Sequence, residues 1–76
     1  MNNSRRKRIN ESILALKDAQ TKLEQVLCKE QEALDRTPDD DEHYDMRNGM
    51  DDIISGLEDA LSSLEDTLDT LESADF

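Results

Sequence analysis

The chain has 76 residues, 38% of them charged, with a net charge of −11 and only Tyr44 and Phe76 as aromatic side chains. That is one domain at most, residues 1–76, and a chain this short buries little apolar surface alone, so self-association is expected. No apolar run of about 18 residues exists to span a membrane, and the lone Cys28 excludes an internal disulfide framework. The basic stretch Arg5-Arg6-Lys7-Arg8 is followed by amphipathic rather than apolar sequence, which argues against a signal peptide and for a cytoplasmic location.

In the first half, Ile9, Ile13, Leu16, Leu23, Leu27 and Leu34 fall at helical spacing, with Gln20 and Glu30 in the places where the pattern lacks an apolar residue. Ala19, Val26 and Ala33 lie beside this stripe and widen it. No Gly or Pro occurs before Pro38, so one long helix is predicted over about 4–35. Thr37-Pro38-Asp39-Asp40 then ends it, because proline cannot continue a helix and restrains the residue before it. The same tetrapeptide resembles a helix start, with Thr37 as the cap and acids in the first turn. Residues 37–44 are read as a connector with room for one short helical turn.

A second helix is predicted over about 45–73. Its seven-residue repeat puts Met50, Ile54, Leu57, Leu61, Leu64, Leu68 and Leu71 on one seam. One flank of the seam holds Ile53, Ala60, Thr67 and Ala74; the other holds Asp51, Glu58, Glu65 and Glu72. Two helices of similar length with a short connector make an antiparallel hairpin of coiled-coil type, so the fold class is all-α. A two-helix seam covers each helix on one side only. Pairing of two hairpins into a four-helix bundle is therefore expected, through an edge of Leu14, Ala19, Val26, Ile53 and Ala60.

Charge is unevenly divided. Residues 1–36 hold eight Lys/Arg against six Asp/Glu, whereas residues 37–76 hold fourteen acids against Arg47 alone. An antiparallel hairpin is expected to bring Arg5–Arg8 alongside Glu72, Asp75 and the terminal carboxylate of Phe76, each cluster offsetting the other's conflict with its helix dipole. Lys17 and Lys22 are the further bases of the first helix available to the acidic flank.

Catalytic groupings are missing from the sequence. Asp39-Asp40-Asp41-Glu42-His43 lacks the glycine of a calcium loop in every register, and His43 has no second His or Cys near it for zinc. The serines of the second helix have no histidine within reach. Neither a metal, a cofactor nor an enzymatic activity is expected.

The acids of the second helix are the feature left to carry a function. Asp51, Asp52, Glu58, Asp59, Glu65, Asp66, Asp69 and Glu72 recur along one helix, with successive acidic pairs about 10 Å apart at the rise of an α-helix. Averaged over the second half, the density is roughly one negative charge per 4 Å, against about one per 3.4 Å in a DNA strand. Such a ridge suits a basic protein surface, and it disfavours direct binding of nucleic acid or an anionic membrane.

Arg5-Arg6-Lys7-Arg8-Ile9, Lys29-Glu30-Gln31-Glu32-Ala33, Pro38, Leu57-Glu58-Asp59-Ala60 and Leu64-Glu65-Asp66 together resemble the small acidic helical proteins of bacteriophages and prophages of Gram-positive bacteria. The segment Asp39 to Arg47 differs from the Glu/Ser-rich stretch of that family. The resemblance covers most of the chain and implies a phage setting and a bacterial host cytoplasm. Small acidic phage proteins include DNA-mimicking inhibitors of restriction and CRISPR enzymes, an analogy at the level of shape. Two readings follow. In one, a dimer uses its acidic face to occupy a basic, nucleic-acid-handling host protein such as a nuclease. In the alternative, the chain is a structural or assembly coiled coil whose acids serve only solubility.

Overall fold

The computed structural model describes residues 3–74. Helix α1 spans Asn3–Arg36, a short 3-10 turn follows at Asp41–His43, and helix α2 spans Tyr44–Ser73. The two helices pack along their length as an antiparallel hairpin about 60 Å long and 15 by 13 Å across. The predicted boundaries agree with these to within one residue at the helix ends.

Both helices carry an unbroken seven-residue seam. In α1 it runs Ile9, Ile13, Leu16, Gln20, Leu23, Leu27, Glu30 and Leu34, all half-buried. From His43 at the end of the 3-10 turn it continues in α2 through Arg47, Met50, Ile54, Leu57, Leu61, Leu64, Leu68 and Leu71, which are half-buried apart from Ile54 and Leu68. Those two are the buried hydrophobic residues among the described ones, at 9% and 5% exposure. Each such side chain stabilises the hairpin by about 1.5–3 kcal/mol. None of α1 is buried, because a single partner helix covers only one strip of its surface. Gln20 and Glu30 keep their seam positions, so the polar interruptions read in the sequence lie inside the contact.

The turn is held by polar side chains rather than by apolar packing. Thr37 closes α1: its N–H donates to the Leu34 carbonyl at 3.1 Å and its hydroxyl to the Ala33 carbonyl at 2.8 Å. Arg47 of α2 reaches back, its Nη1 donating to the Leu34 carbonyl at 3.1 Å and the Thr37 carbonyl at 2.5 Å. It thereby satisfies carbonyls that the end of a helix leaves without intrahelical partners.

One expectation changes here. The capping side chain in the connector is Asp40, not Thr37, and it caps the 3-10 turn Asp41–His43; His43 stands at the N-cap of α2 without a side-chain cap hydrogen bond. Asp40 has an extended backbone, and its carboxylate accepts the His43 N–H at 3.0 Å, whereas the Thr37 hydroxyl is already committed to α1. At the open end Glu72 pairs with Lys17 at 2.8 Å, one of the bases of α1 read from the sequence as available to the acidic flank. Arg6 lines a shared cleft with Ile13, Leu71, Glu72 and Ala74, while Asp75 and Phe76 lie outside the described residues. Lys22 turns to its own helix and pairs with Asp18 at 3.0 Å.

Candidate functional site

The Lys17–Glu72 pair shows how the hairpin's two sides are built. Lys17 belongs to the row Asn10, Lys17, Glu24, Gln31 of α1, and Glu72 to the row Asp51, Glu58, Glu65, Glu72 of α2. Their ion pair places both rows on one side of the seam. One heptad along, Glu24 stands level with Glu65, and two heptads along Gln31 stands level with Glu58. The lysine is not repeated, so this side stays acidic.

Asp52, Asp59 and Asp66 lie a further 100° or so round α2, facing away from α1, and Asp69 lies between the two acidic rows with Ser55 and Ser62. All eight acids singled out from the sequence are exposed. Glu72 is tied to Lys17, whereas Asp51, Asp52, Glu58, Asp59, Glu65, Asp66 and Asp69 have no ion pair among the described residues. Their carboxylates are held in place by nothing but the helix that carries them. Seven unpaired carboxylates on one helix make a dense negative field that reaches over roughly a Debye length of about 8 Å.

The opposite side of the seam is apolar. It consists of Ala19, Val26 and Ala33 from α1 and Met46, Ile53 and Ala60 from α2. Val26, Met46 and Ile53 are 45%, 58% and 52% exposed, and they occupy the half of the hairpin nearer the turn. The edge read from the sequence is changed in membership. Leu14, 67% exposed, stands about 140° round α1 from Ala19 at 100° per residue, on the acidic side. Ala33 and Met46 belong to the edge in its place. Met46 escaped the sequence reading because the seam begins at His43 and Arg47, whose polarity hides the first two positions of the repeat.

At the turn, Asp40 Oδ1 lies 2.6 Å from His43 Nδ1. This hydrogen bond holds the Asp40 carboxyl below the ordinary aspartate value, with the backbone N–H of His43 acting in the same direction. Among the described residues no three His, Cys, Asp or Glu side chains are grouped so as to hold a metal ion, and no helix is long and apolar enough to cross a membrane. Cys28 is exposed, its Sγ 3.8 Å from Glu32 Oε1.

The class defined by these features is an all-helical antiparallel hairpin with one acidic and one apolar side. Searches against protein families, curated proteins and solved structures found no match to the chain.

Proposed function

We propose that this chain is a non-enzymatic, phage-type interaction module. It pairs with a second copy into a four-helix bundle and presents the acidic side of α2 to a basic surface of a nucleic-acid-handling host protein, blocking it as a DNA mimic would, in the bacterial cytoplasm. The observation that supports this reading is the row of unpaired carboxylates, Asp51, Asp52, Glu58, Asp59, Glu65, Asp66 and Asp69. A helix needs no such surplus in order to fold. Acids opposite acids, as in Glu24 beside Glu65, cost the hairpin stability, and an external basic surface would relieve that cost.

The test is charge reversal. Replacing Asp51, Glu58 and Glu65 by lysine leaves the seam intact and should abolish capture of the partner, and DNA should compete for the same partner with the unaltered protein. Retained capture by the reversed protein would reject the acidic ridge as the binding face.

A second reading is favoured by one observation, the exposure of Val26, Met46 and Ile53 on one side. Here the hairpin is an assembly module that lays its apolar edge on a partner helix, and its acids serve solubility. Binding then survives charge reversal and fails on Val26→Asp or Ile53→Asp. Leu57→Asp and Leu64→Asp act differently, since both residues lie in the seam and their loss unfolds the hairpin in either reading.

A further inference from the structure

We infer that two copies pair with α1 of each chain against α2 of the other, and that lysines beside the apolar edge of α1 select this arrangement by reaching the outer aspartates of the second copy's α2. This rests on the dimeric part of the function proposed above and does not depend on the acidic ridge binding a host protein.

The chain exposes 5826 Å², whereas a compact monomer of its mass exposes about 4,700 Å². The excess, about 1,100 Å², compares with the roughly 600–1,000 Å² that each partner loses in a stable interface. It includes the apolar edge of Ala19, Val26, Ala33, Met46, Ile53 and Ala60, which nothing in the single chain covers.

Charge then chooses between the two symmetric ways of joining these edges. A twofold axis across the bundle would lay α2 on α2 and set Asp52, Asp59 and Asp66 of both copies side by side. A twofold axis along the bundle instead lays α1 on the second copy's α2. Next to the apolar edge, α1 carries the row Arg8, Ala15, Lys22, Lys29, Arg36, and α2 carries the small row Gly56, Ser63, Thr70. Long basic side chains can cross that small row to the aspartates behind it. An axis along the bundle also preserves level, so the register of the hairpin carries over between copies. Lys29 is then level with the stretch from Asp52 to Asp59, and Lys22 with that from Asp59 to Asp66. Lys29 has no ion pair among the described residues, and Lys22 has only the exposed pair with Asp18 on its own helix. The rows that meet on the far side of the hairpin, Asp51, Glu58 and Glu65, stay outside this interface.

The arrangement is tested with two chains that both carry Cys28→Ala, one with Val26→Cys and the other with Ala60→Cys, mixed and oxidised. The mixed disulfide should exceed both self-linked products. Predominant linkage of Val26→Cys to itself would overturn the arrangement, and sedimentation of the unaltered protein as a monomer at 100 micromolar would overturn dimerisation. A second measurement follows the charges. Lys22→Glu with Lys29→Glu should weaken self-association about tenfold, as expected of a few exposed pairs, with helix content unchanged by circular dichroism. Mixing that chain with Asp52→Lys/Asp59→Lys should restore association as a heterodimer, and absence of restoration counts against the lysine–aspartate contact. Capture of a basic partner is scored separately, with Asp51, Glu58 and Glu65 reversed. Loss of capture without loss of the dimer, or the reverse, tells the two proposals apart.

Discussion

Lys17 Nζ and Glu72 Oε1 lie 2.8 Å apart across the hairpin, and the pair divides the molecule into an acidic side and an apolar side. Its own energy is small, about half a kcal/mol, because both side chains are roughly half exposed. Its value is informational: it identifies which flanks of the two helices meet. The same row of α1 has Glu24 where a second lysine would continue the pattern. Glu24→Lys should therefore gain a bridge to Glu65 and raise stability by about 0.5–1 kcal/mol, read as a higher unfolding temperature at fixed protein concentration. A fall in that temperature would show the register to be wrong.

Arg47 joins the two helices at the turn through the Leu34 and Thr37 carbonyls. Hydrogen bonds from a charged donor contribute about 1.5–3 kcal/mol each at most. Arg47→Met keeps the stem and removes the donors, and is expected to cost about 1–3 kcal/mol. Amide exchange should quicken at Thr37–Met50 and remain slow near Leu61. Uniform loss of protection would assign Arg47 a role in the whole seam instead.

Asp40 makes the turn sensitive to acid. Its carboxyl is held below the ordinary value in the folded chain by the hydrogen bond from His43. The carboxylate's contribution is therefore fully present above the unfolded pKa, about 3.9, and is lost as pH falls through the depressed folded value. The amide of His43 should lose exchange protection below about pH 4 before the middle of α2 does. Asp40→Asn should remove that difference, and a turn equally protected at pH 2 would refute it.

Gly49 and Gly56 lie inside α2, and a Cβ at either would meet nothing within 4 Å. Neither has positive φ, so alanine fits the helix as it stands. Gly49→Ala and Gly56→Ala should each stabilise by up to about 1 kcal/mol. A destabilising Gly56→Ala would indicate that something packs closely on that position in solution.

Glu30 and Gln20 sit on the seam and are half-buried. Replacing both by leucine should raise the unfolding midpoint in denaturant, since about 1–2 kcal/mol of apolar burial is added at each. The same change removes the polar residues that restrain alternative pairings of the seam, so self-association should become less uniform by sedimentation. A single sharp species would show that the small and acidic flanks suffice for register.

The period of the apolar residues determined by itself that α1 and α2 are helices, that Pro38 separates them, and that Met50, Ile54, Leu57, Leu61, Leu64, Leu68 and Leu71 face the partner helix. These are local properties, set by spacing along one helix and by proline's missing N–H. The exposed acids were legible for the same reason, since a helix puts the flank of its own seam in water. What the tertiary structure decided is relative placement: which of the bases of α1 meets Glu72, here Lys17, Asp40 in place of Thr37 as the cap of the connector's short turn, and Arg47 against the end of α1. Register between two helices depends on interactions between distant residues, here Lys17 with Glu72 and Arg47 with Leu34, and a seven-residue period is unchanged by a slip of seven. Only the contacts themselves choose among those slips, and with them which side of the hairpin remains acidic.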